Sequence, residues 1–162
     1  MEIIMIAAMS KNRAIGKENS IPWHLKEDFE FFKQTTLTYP IIMGKNTFNS
    51  LKKPLPNREN IILTRFPIPG MTCFDNINDA LEYCYAKDYD KAFLIGGASV
   101  YEEGLKFANT ILLTEIDKEF HADTFFPELN SSEWKIVEMQ KAYSEENDFN
   151  YSFNTYKKQI NL

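Results

Sequence analysis

Short unbroken apolar runs alternate along this chain with segments whose apolar residues recur every three or four positions. The unbroken runs are "IIMIAAM" (Ile3–Met9), "PIIMG" (Pro40–Gly44), "NIILTR" (Asn60–Arg65), "KAFLIGG" (Lys91–Gly97) and "NTILLTEI" (Asn109–Ile116). Strands that bury both faces read this way, because the two-residue alternation disappears when neither face is wet. "MTCF" (Met71–Phe74) is a candidate for one more short strand. The periodic segments predict helices. In "SIPWHLKEDFEFFK" (Ser20–Lys33), Leu25, Asp28, Phe29 and Phe32 fall at i, i+3, i+4 and i+7, on one face. That face should meet a core, yet one of its four members is an acid, while Lys26, Glu27, Glu30 and Lys33 already supply a wet face.

"KNTFNSL" (Lys45–Leu51) predicts a second helix, with Asn46 or Thr47 as its cap. "NINDALEYCYAK" (Asn76–Lys87) aligns Ile77, Ala80, Leu81 and Cys84. "SVYEEGLKFA" (Ser99–Ala108) offers Val100, Leu105 and Phe107 for burial. The region from Trp134 to Gln159 changes character: alternating residues flank a polar "SEENDFN" turn, the pattern of an antiparallel hairpin. "SKNRAIGKENSIPW" (Ser10–Trp23) reads as a long polar loop, and the two prolines of "KPLPNR" stiffen a turn. The sum is α/β: one domain over residues 1–162, with a mixed, mostly parallel eight-stranded sheet, about four flanking helices and a C-terminal antiparallel hairpin.

Composition narrows the function classes. A length of 162 residues with 44% apolar content suits one sizeable core. A net charge of −5 without a basic run argues against nucleic-acid partners. No run reaches the ~20 apolar residues needed to cross a bilayer, and the apolar start carries Glu2 where a secretion signal carries positive charge. Two cysteines, Cys73 and Cys84, are too few for a disulfide scaffold and lack metal-ligand spacing; His24 and His121 are too few and too separated for a zinc site. The expectation is a cytoplasmic protein with reduced thiols and no metal.

Ligands of open α/β sheets bind beyond the carboxyl ends of the strands, so the residues there matter most. "LIGGASVYEE" places Gly96 and Gly97 between a strand and a helix, followed by Ala98, Ser99, Val100 and Tyr101. Glycines allow a ligand close to the backbone, and a helix start offers unpaired N–H groups to a phosphate. The spacing is not G-x-G-x-x-G, and no acid for a ribose follows. "IMGKNTF" repeats the theme with Gly44, Lys45, Asn46 and Thr47; "ILTRF" adds Leu63, Thr64 and Arg65. Two cations at two strand ends point to a polyanion, and to a 2′-phosphate, hence NADP rather than NAD.

Taken together, "IAAMSKNRAIGKENSIPWHLKEDFEFFK", "IIMGKNTFNSL", "PLPNRENIILTR", "LIGGASVYEE" and "LLTEID…DTFFPE" resemble dihydrofolate reductases, in order and in spacing, over nearly the whole chain. The resemblance implies NADPH-dependent reduction of 7,8-dihydrofolate to 5,6,7,8-tetrahydrofolate, with hydride to C6 and a proton to N5. The product would feed one-carbon transfer in thymidylate, purine and methionine synthesis. It implies Asp28 as the one buried carboxylate of the pterin pocket, holding the 2-amino group and N3–H, its pKa raised by burial. Its charge would promote protonation of N5, with water as the direct donor. Thr114 would hydrogen-bond Asp28, and Trp23 would organise pocket water.

By the same resemblance Ile6, Ala7, Phe29, Phe32, Leu51 and Leu55 wall the substrate, with Ser50, Ile95 and Tyr101 also in contact, and Arg58 pairs with its α-carboxylate. Ala8, Ile15, Gly16 and Ser20 belong to the nicotinamide side, and Thr124 also contacts the cofactor. Gly44, Lys45, Asn46, Thr47, Leu63, Thr64, Arg65, Ile95 and the turn Gly96–Tyr101, with a cis Gly96–Gly97 peptide, hold the remaining cofactor. Ser10–Trp23 would be a lid whose opening releases product. Antifolate inhibitors would share the substrate pocket, and a monomer is expected. Three departures stand out: Ile21 where relatives carry Met or Leu, Ala122 where some carry Gly, and Lys45 where others use Arg. Lys keeps the charge and loses the fork, which shifts weight to Arg65. Two other readings fit parts of the pattern: the related NADPH reductase of riboflavin synthesis, and a catalytically silent folate- or nucleotide-binding protein.

Overall fold

The computed structural model describes residues 1–18 and 20–159; Asn19 and residues 160–162, the end of the expected domain, lie outside it. The described elements are β1 (Glu2–Ser10), β2 (Ala14–Gly16), α1 (Lys26–Thr36), β3 (Ile41–Gly44), α2 (Lys45–Leu51), β4 (Asn60–Leu63) and β5 (Thr72–Phe74). They continue with α3 (Ile77–Ala86), β6 (Lys91–Leu94), α4 (Ala98–Gly104), β7 (Thr110–Ile116), β8 (Thr124–Phe125), β9 (Trp134–Ser144) and β10 (Phe149–Lys158). Eight strands form one sheet in the order β5-β4-β3-β6-β1-β7-β10-β9. β1 runs parallel to both β6 and β7, and β3, β4 and β5 continue the parallel part. β10 is antiparallel to β7 and β9, as the C-terminal hairpin predicts.

The continuous apolar runs are explained by two cores, one on each face of the sheet. Met5, Ile42, Ile61 and Leu94 pack with Ile77, Ala80, Leu81 and Cys84 of α3 and with Val100 and Tyr101 of α4. Their chain neighbours Ile4, Ile41, Ile62 and Phe93 point the other way, towards Phe32 of α1 and Phe48 and Leu51 of α2. Alternate residues of a strand serve opposite faces, so a strand covered on both sides has no wet position.

Several local expectations are corrected. Ser10–Trp23 is not an unstructured loop: β1 reaches Ser10, and β2 pairs antiparallel with β8 as a separate two-stranded ribbon. α2 begins one residue before Asn46; Gly44 is its N-cap, and neither Asn46 nor Thr47 caps it with a side chain. α4 stops at Gly104, which leaves Leu105 and Phe107 half-buried beyond it. The face of α1 does not seal against a core. Leu25 is fully buried, but Phe29 is 45% exposed and Asp28 and Phe32 are half-buried. That face is left partly open. Cys73 and Cys84 are free thiols, and burial, with Glu59 nearby, pushes the Cys84 thiol up to about 12, far from a reactive thiolate. None of the described helices is long and apolar enough to cross a membrane.

Candidate active site

Asp28 stands in the first turn of α1, on the face turned towards the sheet. β7 brings Thr114 to it. Thr114 lies opposite Ala8 of β1 in the parallel register and is 2% exposed. Its Oγ1 donates to Asp28 Oδ1 at 2.6 Å. Among the described residues no cation pairs with this carboxyl. Burial therefore dominates and raises the Asp28 pKa from 3.8 to about 6, although the Thr114 hydrogen bond pulls it down. At neutral pH the group is a carboxylate with one oxygen fixed by a hydroxyl and the other open to a ligand.

The pocket wall continues through backbone. Tyr101 is buried, and its hydroxyl lies 2.8 Å from both Ile6 O and Ile95 O. A hydroxyl has one proton to donate, so one of these two carbonyls keeps acceptor capacity for a ligand N–H. Burial raises the Tyr101 pKa above its ordinary value, so the phenol stays protonated. Leu51 and Leu55 are half-buried on the α2 side, packed on the same core as Phe32. Trp23 is buried and packs on Phe120 at 5.2 Å between ring centroids.

Arg58 sits near the far end of α1. Its Nε donates to Pro56 O at 2.9 Å, and its Nη1 to Thr36 Oγ1 at 3.1 Å. The loop that carries it is clamped by Asn60. Asn60 Nδ2 donates to Leu55 O and Arg58 O, while Oδ1 accepts from Leu55 N. Asp28 and Thr36 are eight residues apart on one helix, which at 1.5 Å per residue is about 12 Å. α1 thus carries a carboxylate in its first turn and, through Thr36, holds a guanidinium at its last.

A second set of residues gathers at the carboxyl ends of β3, β4 and β6. Gly44 lies opposite Leu63, so Lys45 and Thr64 leave adjacent strands side by side. Gly44 N donates to Gly96 O at 2.8 Å, which joins this pair to the Gly-Gly turn. The Gly96–Gly97 peptide is cis. Gly96 has φ +115, and a Cβ there would lie 3.1 Å from the Tyr101 ring, so only glycine fits. A Cβ on Gly97 would meet Thr47 Oγ1 at 3.6 Å; its absence leaves backbone accessible between the two turns. Lys45, Asn46, Arg65 and Ser99 are exposed around this floor. The donor set, two cations beside glycine backbone and threonine hydroxyls, fits a phosphate-bearing ligand. Ser50 is exposed and turned into its own helix, donating to Thr47 O at 2.7 Å.

The segment between β1 and α1 is tied to the rest of the fold by several hydrogen bonds. Asp123 Oδ2 accepts from Glu18 N at 2.9 Å, and Asp123 N donates to Gly16 O at 3.1 Å. The Glu18 N–H and the Thr124 hydroxyl hold the Asp123 carboxyl below its ordinary pKa. Asn147 Nδ2 donates to His24 O at 2.8 Å, where the segment enters α1. Ile15 and Gly16 belong to β2 and Thr124 to β8, whereas Ser20 is an exposed turn residue bonded to Lys17 O at 3.0 Å.

Sequence reasoning missed Thr36, Asn60, Asp123 and Asn147. The one available hint was polarity where burial was due: Thr36 closes a helix that packs on the sheet, and Asn60 opens a buried strand. Among the described residues there is no group of three His, Cys, Asp or Glu that could hold a metal ion.

Comparison with known proteins is consistent across sequence and structure. Residues 2–158 match the family model described as dihydrofolate reductase. The chain is 40% identical over 160 residues to the dihydrofolate reductase of Bacillus subtilis, covering 96% of this chain and 94% of that protein. It is also 40% identical over 157 residues to the Haemophilus influenzae dihydrofolate reductase, covering 94% and 96%. A solved structure of the Enterococcus faecalis dihydrofolate reductase, complexed with NADP(H) and RAB-propyl, superposes with a TM-score of 0.88. It has 30% identity and covers 98% of this chain and 97% of that one.

Proposed function

The chain belongs to the dihydrofolate reductase family, and from that premise we propose how its own residues perform the NADPH-dependent reduction of 7,8-dihydrofolate to 5,6,7,8-tetrahydrofolate. The observation that carries the reading is the Asp28–Thr114 pair: a carboxylate desolvated without a cation. Such a group is costly unless a ligand completes its hydrogen bonds. A pterin does so with its 2-amino group and N3–H, both donors on one edge of the ring. Thr114 fixes the carboxylate rotamer, so the ring's orientation is set before it arrives. Two charge-assisted hydrogen bonds to an ionised acceptor contribute on the order of 1.5–3 kcal/mol each.

NADPH, when bound, supplies the hydride taken up at C6. The residues placed to hold it are Lys45, Thr47, Thr64, Arg65 and the Gly96–Tyr101 turn, with Ala8, Ile15, Gly16 and Thr124 on the nicotinamide side. Lys45 and Arg65 are the cations available to a 2′-phosphate, which supports NADPH over NADH. The Asp28 charge raises the proton affinity of the bound ring system, and water delivers the proton to N5. Trp23 and the segment pinned by Asp123 exclude bulk water from that region. Arg58, about 12 Å along α1, receives the α-carboxylate of the glutamate tail. We place the enzyme in the cytoplasm as a monomer; the two free thiols support a reducing compartment.

The test is direct: mix the protein with NADPH and dihydrofolate and follow nicotinamide absorbance. Oxidation that requires dihydrofolate is expected. Absence of oxidation, or oxidation indifferent to dihydrofolate, contradicts the reading.

A further inference from the structure

We propose that Thr36 is a positioning residue that aims the Arg58 guanidinium, and so sets the enzyme's preference for substrates that carry a carboxylate tail. The inference rests on the reading of Arg58 given above and extends it to a residue that touches no ligand. Thr36 is 0% exposed, although threonine is a poor helix former and here occupies the last position of α1. A buried hydroxyl needs partners. Its single proton goes back to Phe32 O at 2.8 Å. That leaves the oxygen's lone pairs, and Arg58 Nη1 donates to them at 3.1 Å. The hydroxyl is thereby a relay: donor to its own helix, acceptor to a cation from another loop.

The guanidinium is fixed at two separate nitrogens, Nη1 by Thr36 and Nε by Pro56 O. A planar group held at two points cannot turn about its terminal bonds. Of its five N–H groups, three remain, one on Nη1 and two on Nη2, where adjacent donors can meet both oxygens of a carboxylate. Burial lowers the Arg58 pKa, and the last carbonyls of α1, the negative end of the helix dipole, offset part of that cost. Tyr39 N donates to Thr36 O at 3.1 Å and Thr38 N to Asn57 O at 2.9 Å, so the turn after α1 is tied to the Arg58 loop. One helix therefore positions both anchors: Asp28 in its first turn and, through Thr36, the cation at its last. A ligand gains the second anchor only if its carboxylate reaches that far.

Kinetics on two substrates separate the possibilities: dihydrofolate and a dihydropterin lacking the aminobenzoyl-glutamate tail. Thr36→Val keeps the shape and removes the hydroxyl. Its preference for dihydrofolate over the tail-less pterin, as a ratio of kcat/KM, is expected to fall about tenfold, through KM rather than kcat. Thr36→Ser, which keeps the hydroxyl, should restore most of the preference. Should Thr36→Val give no folded protein, Thr36→Ala carries the same expectation. Arg58→Ala is measured in parallel. If it costs both substrates equally, the carboxylate reading of Arg58 falls, and the inference with it. If Arg58→Ala loses the preference but Thr36→Val keeps it, or Thr36→Ser loses as much as Val, the Thr36 inference is overturned and Arg58 stands.

Discussion

Replacing Asp28 by Asn should make the ligand-free protein more stable at neutral pH while disabling it as an enzyme. The folded protein raises the Asp28 pKa from 3.8 to about 6, burial being the main cause. Between those values the folded state keeps a proton that the unfolded chain releases. Stability from this group therefore falls as pH rises through that window and is flat above about 6. At 1.36 kcal/mol per pH unit, the gap amounts to about 3 kcal/mol. An amide has the same shape, still accepts from Thr114, and does not titrate. The advantage of Asp28→Asn over wild type should thus be smallest near pH 4, grow towards pH 6, and plateau about 3 kcal/mol higher. For a chain of this length that is roughly 6–12 °C in Tm. The assay is urea unfolding of both proteins without ligand, from pH 4.5 to 8; other titrating groups cancel in the difference. A stability difference that stays flat over that range would refute the assignment of a desolvated carboxylate. The same variant should lose about a hundredfold or more in kcat/KM at pH 7, because two charge-assisted hydrogen bonds to the pterin go with the charge.

Arg58→Ala should raise KM for dihydrofolate by at least about tenfold with little change for a tail-less pterin, measured by steady-state kinetics on both. Arg65→Ala should narrow the NADPH to NADH preference; an unchanged ratio of kcat/KM would place 2′-phosphate recognition elsewhere. Gly104→Ala tests the packing between α4 and the sheet. A Cβ there would lie 2.7 Å from Leu94 Cδ1 and 3.2 Å from Met5 Sδ, so a loss of about 1–3 kcal/mol in urea unfolding is expected, with dihydrofolate KM unaffected in the folded fraction.

The main sheet was legible because its strands are buried on both faces, which turns Ile41–Met43 and Ile61–Ile62 into unbroken apolar runs. The hairpin was legible from its polar "SEENDFN" turn, although β9 buries only Trp134 and Ser144 at its two ends. β2 was not: three residues pair with a strand more than a hundred positions away, and nothing local marks the partner. The periodicity of α1 located the face that carries Asp28 but not what that face meets. Leu25 found core and Phe29 stayed open, a distinction set by β7 and β10, which are distant in the chain. Candidate site residues announced themselves where chemistry was out of place, as with an acid on an apolar stripe or cations at strand ends. Thr36, Asn60 and Asp123 act through hydrogen bonds to other loops. Each is an ordinary polar residue until the fold brings its partner within 3 Å or so.

The most direct measurement is a ¹³C NMR titration of the Asp28 carboxyl, free and with a bound folate. Free protein should titrate at about 6, and the folate complex should hold the carboxylate ionised to well below pH 5, because the ring donates to the charged form. Titration of the free protein near 4, or a transition that folate leaves in place, would contradict the account.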